Sequence, residues 1–203
     1  HFPYYFGPAR LATLASCNLE QFLWLAGDQF EELIGNAIVR EPQLELGPER
    51  QDLLVRRASS SLWKEIPRRA RHGDRVRSFL DSVARFCRHT TFLPNAPYDP
   101  GVTGIAISMI DRNRLLDREY LKAHPEHRVV ADVLASSIAA NLLEPVLDYK
   151  CKGAMWMVLN LNRLLCPEHW LPLQYGGFRE KTLDELSRWI SEGYRAPVST
   201  EKL

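Results

Sequence analysis

Over most of this chain apolar residues recur at three- and four-residue spacing, and in one stretch they form two short extended runs separated by a glycine turn. That pattern predicts a mainly helical protein with a small β component. A short helix is expected from Arg10 to Ala15. Asn18 then offers its side chain to the free amides of a longer helix, with Gln21 reaching back as in a capping box. Leu19, Phe22, Leu23, Ala26, Phe30, Leu33, Ile34 and Ala37 of that helix define one face expected to be buried. The next helix begins at Pro48, a favoured first-turn residue, carries Leu54, Val55, Ala58, Leu62 and Ile66 inward, and is expected to end at Pro67. A third takes Asp74 as its N-cap and buries Val76, Phe79, Leu80, Val83, Phe86 and Cys87.

The periodicity breaks between Thr90 and Gly104. There Pro94, Pro97, Pro100 and Gly101 predict an ordered surface loop, and with it the best domain boundary. A short strand over Ile105 to Met109 is expected next, then a polar, charge-rich stretch through Glu126, then an amphipathic helix from about His127 to Asn141. Leu143 to Tyr149 and Met155 to Leu161 read as a hairpin whose basic tip, Lys150 to Ala154, contains a glycine for positive φ. Asn162 to Cys166 reads as a turn of helix, and Leu171 to Gly177 as irregular. Thr182 and Glu185 form a capping box for a final helix that buries Leu183, Leu186, Trp189 and Ile190 before Gly193 stops it. The chain thus divides into 1–47, a basic helical, helix-turn-helix-like segment 48–100, and 101–203.

Charge sharpens this picture. The 203 residues carry a net charge of only +1, but eleven of the 26 Lys and Arg residues fall between Arg50 and Arg88, facing only Asp52, Glu65, Asp74 and Asp81. That window carries +7 and everything outside it sums to −6. A concentrated positive field attracts a polyanion, nucleic acid or an acidic protein face, without a basic protein overall. Arg56, Arg57, Arg68, Arg69, Arg71, Arg75, Arg77, Arg85 and Arg88 are therefore candidates for nucleic-acid backbone contact, with Lys150, Lys152 and Arg163 as a second patch at the hairpin tip and its exit. The bland alternatives are a solvated helix surface and lysines that protect an edge strand.

Segments around Asn18 to Gly27, Pro94 to Gly104, Cys151 to Trp156 and Leu171 to Gly177 resemble the C-terminal lid and winged-helix region of bacterial origin-recognition-complex-like AAA+ ATPases. The resemblance implies that 1–47 is lid-like and 101–203 is winged-helix-like, with the hairpin as the wing. It further implies a regulatory, DNA-contacting portion of an ATPase, with duplex DNA as the favoured nucleic acid and an N-terminal ATPase domain or an acidic protein as further partners. No GxxxxGK[ST] loop occurs, so this chain is not expected to hydrolyse ATP or to be an enzyme, and no catalytic residue or cofactor is assigned.

Other chemistry is weaker. Cys87 with His89 and Cys166 with His169 supply a zinc-like donor set, but their spacing matches no familiar finger, and buried structural cysteine is the stronger reading. The cysteines have no CxxC pair, consistent with reduced thiols and a cytoplasmic address. No bilayer-spanning run or signal peptide is found, so no membrane partner is expected. Ser59 to Ser61 lies mid-helix, without a nucleophile elbow. Trp156, Trp170, Tyr175, Phe178 and Trp189 are able to stack a ligand, yet packing explains them more simply. The opening aromatics Phe2, Tyr4, Tyr5 and Phe6 are too apolar for a free terminus. They point to a fragment or processed chain, and to the rival function: a protein-protein interaction or oligomerisation module using apolar N-terminal and aromatic C-terminal surfaces.

Overall fold

Among the described residues the helical spacing is realised as eight α-helices, and the extended runs as strands of one small sheet. The structure, a computed structural model, describes residues 4–39, 45–94 and 101–197. The helices α1 (Pro8–Leu14), α2 (Leu19–Val39), α3 (Pro48–Arg69) and α4 (Gly73–Thr91) precede strand β1 (Val102–Ser108). After it come α5 (Met109–Leu116), α6 (Arg118–Ala123) and α7 (Pro125–Ala139), then β2 (Leu143–Cys151), β3 (Ala154–Leu161), β4 (Gly177–Glu180) and α8 (Leu183–Glu192). The protein is therefore mainly helical with a small β component. Among the described residues no helix is long and apolar enough to cross a membrane.

Contacts divide the chain into two units, His1–Trp63 with Asn162–Leu173, and Lys64–Leu161 with Gln174–Leu203. The division falls inside α3 and at both ends of the 162–173 segment rather than at the expected 47/48 and 100/101 boundaries. One reason is that β1 packs on α4, so the proline-rich connection joins two elements of one unit. Most of that expected loop, like Phe2, lies outside the described residues.

In the first unit Tyr5 is buried. Its amide donates to Asp52 at 2.8 Å and its hydroxyl to the Leu171 carbonyl at 2.5 Å. The Trp63 indole donates to the Leu165 carbonyl at 3.0 Å. Asn18 caps α2 by accepting from Gln21 N–H, but the reciprocal arm of a capping box is not made. Asn18 N–H goes to the Ala15 carbonyl, and the Gln21 side chain accepts from Asn162. The expected buried face of α2 is also overturned. Leu19, Leu23, Phe30, Ile34 and Ile38 are exposed, and of the helix only Leu25 is buried. The helix instead turns a polar side inward, where Glu32 pairs with Arg50 at 2.6 Å.

In the second unit the sheet runs β2-β3-β1-β4, with β3 antiparallel to both neighbours and β4 parallel to β1. Helix α4 is the central element, packing on β1, α7 and α8 with Val76, Phe79, Leu80 and Val83 fully buried. Two expectations shift here. Pro67 does not end α3, which runs on to Arg69, and beyond it Ala70 N–H still reaches the Ile66 carbonyl at 3.1 Å. His72, in the left-handed conformation, occupies the N-cap of α4, and Asp74 lies in its first turn. The charge-rich stretch before Glu126 is helical, started by Ser108, which accepts from Asp111 N–H, and by Asp117, which accepts from Glu119 and Tyr120. The final helix carries the expected capping box of Thr182 and Glu185.

Candidate nucleic-acid interface

The α3–α4 junction is a three-residue corner, Ala70 to His72, between two helices. It closes at backbone contact: a Cβ on Gly73 would stand 2.2 Å from the Pro67 carbonyl oxygen, so only glycine fits. Around the corner Lys64, Arg68, Arg69, Arg71, His72 and Arg75 are all exposed. Arg69 pairs with Glu65 at 2.7 Å, a half-exposed i,i+4 pair. Lys64, Arg68, Arg71 and Arg75 make no ion pair among the described residues. Beside them a shallow groove of about 320 Å³ runs between Arg69, Ala70 and Arg71 on one side and Ala135, Ser136, Ala139 and Ala140 of α7 on the other. Its small side chains leave room for a polymer backbone to approach the guanidinium groups.

The structure sorts the other candidate arginines by partner. Arg56 is committed to packing in the first unit. Its Nε meets Asp52 at 2.8 Å, Nη1 donates to the Pro167 carbonyl at 2.9 Å, and the guanidinium lies 3.6 Å from the Trp170 ring centroid. Arg77 pairs with Asp81 at 3.0 Å, and Arg85 donates to the Ala196 carbonyl at 2.8 Å. Arg57 is exposed but lines an acidic cleft with Asp28, Glu31 and Glu32, where burial and Glu31 hold the Asp28 carboxyl above its usual range. Arg88 is exposed at the end of α4. Because α4 exposes residues only towards its ends, it has no free flank to lay in a groove.

At the hairpin tip Lys152 and Gly153 have φ of 49° and 79°, the positive pair of a type I′ turn, and Lys150 and Lys152 are exposed. Arg163, the third member expected of this patch, falls in the other unit. It belongs to the first unit, where its Nε donates to the Leu173 carbonyl at 3.0 Å.

The zinc-like donors are packed thiols. Cys87 is fully buried on α4, and Cys166 is buried in the first unit, where desolvation pushes its thiol up to about 12. One cluster escaped the sequence reading. The imidazole of His127 bridges the Tyr120 hydroxyl at 2.8 Å and Asp184 at 2.9 Å, and His124, Glu126 and His127 bring three donor atoms within 4.8 Å of one another. With both His127 nitrogens engaged, the cluster is a brace between α7 and α8. Its only sequence signal is the spacing His124, Glu126, His127; Asp184 lies 57 residues on. The exposed cations Lys64, Arg118, Lys122 and Arg128 were also missed. The last three are diluted by neighbouring acids.

Comparison with family models, with curated proteins and with solved structures gives no match.

Proposed function

We propose that this chain is a non-catalytic nucleic-acid-binding module that grips the phosphate backbone through the α3–α4 corner, with the β2–β3 hairpin as a second anchor. The observation that carries the reading is the set of four exposed cations that make no ion pair among the described residues, Lys64, Arg68, Arg71 and Arg75, on and beside one tight turn. Several guanidinium groups that reach phosphates together add charge-assisted bonds without new ordering of the chain. The order of elements supports a winged-helix-like module: a helix (α4), a strand (β1), helices ending in α7, then a hairpin whose second strand pairs with that first strand. In this arrangement α7 takes the recognition position. Its exposed residues include one basic side chain, Arg128, flanked by the acids Glu126 and Asp132 and followed by Ala135 and Ala139. The module thus holds a backbone rather than reading bases, in keeping with the regulatory part of an ATPase that the sequence resembles.

The test is fluorescence anisotropy of a random-sequence duplex at two salt concentrations, with Arg68→Ala/Arg71→Ala/Arg75→Ala as comparison. Salt-sensitive binding that the triple substitution weakens at least tenfold is expected; a folded protein that binds no duplex at low salt would refute the reading. A second reading, protein contact, is favoured by the exposed apolar stripe of α2. That helix carries Glu20, Asp28, Glu31 and Glu32 and no Lys or Arg, so its matching partner is a helix with basic residues beside an apolar stripe.

A further inference from the structure

Residues paired across neighbouring strands point to the same face of a sheet, so the register of the second unit assigns two faces. One carries Ile105, Ile107 and Leu159, all fully buried. The other is built differently. Its centre holds the small residues Gly104, Ala106 and Ser108 of β1, and Trp156 of β3 stands opposite Ser108. Tyr149 of β2 pairs with Trp156, and on the far side Phe178 and Glu180 of β4 pair with Gly104 and Ala106. Although Tyr149 and Phe178 sit on opposite edge strands, their rings meet edge-on with centroids 5.2 Å apart. The sheet therefore curls over this face, bringing aromatic rings from its two edge strands together.

Against these rings lies a cleft of about 580 Å³ bounded by Tyr149, Trp156, Tyr175 and Phe178, with Lys152 and Glu180 also lining it. Tyr175 is fixed rather than mobile. Its hydroxyl donates to the Glu144 carboxylate across the sheet, and the next residue, Gly176, passes so close to the Gly101 carbonyl that a Cβ would stand 2.0 Å from it. Gly176 N–H also donates to Thr103 Oγ1 at 3.2 Å. A cleft of this size suits a small organic ligand or one unit of a polymer.

We propose that this cleft takes one nucleotide unit, its base stacked on the aromatic walls, its amino edge accepted by the Glu180 carboxylate and its phosphate met by Lys152. The proposal rests on the nucleic-acid reading above and extends it from backbone contact to an unpaired base. The chemistry is selective in three ways. Four aromatic side chains wall the cleft, and every base has a π-face that can stack on such a ring. A purely apolar ligand leaves both Lys152 and Glu180 without a role. A nucleotide is a planar, amine-bearing ring at one end and an anion at the other, which matches a carboxylate and an ammonium lining one cleft.

The experiment compares a fluorescein-labelled oligo-dA single strand with a random duplex of the same length, and adds AMP as competitor. Tyr149→Ala removes an exposed edge-strand ring, and Lys152→Asn keeps a residue that tolerates the left-handed turn. Melting curves verify that each variant folds. Stacking predicts that Tyr149→Ala weakens single-strand binding by roughly 5- to 150-fold and leaves duplex binding within about twofold. AMP displacing the strand from wild type more effectively than from Tyr149→Ala also supports the proposal and assigns the cleft to free nucleotide as well. If Tyr149→Ala and Lys152→Asn leave single-strand binding unchanged while the corner arginines still govern duplex binding, the cleft proposal is overturned and the backbone reading stands. Absence of binding to either nucleic acid overturns both.

Discussion

At the residue scale the most constrained position is Gly73. Its neighbour across the corner is a carbonyl oxygen, not the movable end of a side chain, so the added methyl of Gly73→Ala has to push helices apart. A loss of about 2–3 kcal/mol is expected from overpacking of this kind, read by urea denaturation. An unchanged midpoint would mean that the corner is looser than its geometry. Glu185 supplies a pH dependence. Burial alone would raise its carboxyl, but the Thr182 backbone N–H and the Lys181 ammonium outweigh burial and hold it below the usual value of 4.5. A carboxyl lowered in the folded state stabilises above its unfolded value, and that stability is lost as pH falls through the folded value. Glu185→Gln should therefore cost stability at pH 7 and flatten the decline below about pH 4.5. Because the side chain is one-third exposed, the effect is modest. A variant whose acid limb matches wild type would remove Glu185 from the account.

At the element scale, α2 provides a direct test of which face is inward. Leu25→Ala should cost about 2–4 kcal/mol, as a large-to-small change at a buried site, whereas Phe30→Ser should cost no more than about 0.5 kcal/mol. Equal losses would show that the apolar stripe is covered after all. This helix also marks the limit of what the sequence makes legible. Periodicity finds a helix and its apolar stripe, but not whether another element covers the stripe. Here Glu32 to Arg50 and Gln21 to Asn162 fix the opposite side inward, and neither pair has a local signature. Legibility was highest where a single turn or cap decides the outcome. Thr182 with Glu185 predicts the start of α8, Lys152-Gly153 the hairpin, and the proline-rich gap the end of α4. It failed for α5 and α6, whose short helices depend on Ser108 and Asp117 caps rather than on an apolar face. The aromatic cleft was legible only in part. Trp156, Tyr175 and Phe178 were noticed, but Tyr149 joins them through strand register, while Trp170 stacks on Arg56 and Trp189 is buried under α4.

At the scale of the whole molecule the decisive quantity is how much of the +7 window remains available to a partner. The sequence counts charges. The structure shows that Arg56, Arg77 and Arg85 are spent on internal contacts, that Arg50 pairs with Glu32, and that Arg69 shares Glu65. At the corner this leaves Lys64, Arg68, Arg71 and Arg75. If these four and the hairpin lysines Lys150 and Lys152 each displace one counterion, log affinity for duplex DNA should fall against log salt with a slope of about −5.4, and for a single strand of about −4.2. The triple arginine variant should retain a slope of about −2.7, from Lys64 and the hairpin lysines Lys150 and Lys152. A wild-type slope of about −10 would mean that the internally paired arginines also reach phosphate, which requires their ion pairs to open on binding. A slope near zero with measurable affinity would mean that binding is not electrostatic and that the corner is an ordinary solvated surface. Titration at four salt concentrations separates these cases, because the exposed cations alone and the exposed and internally paired ones together predict slopes that differ by nearly a factor of two.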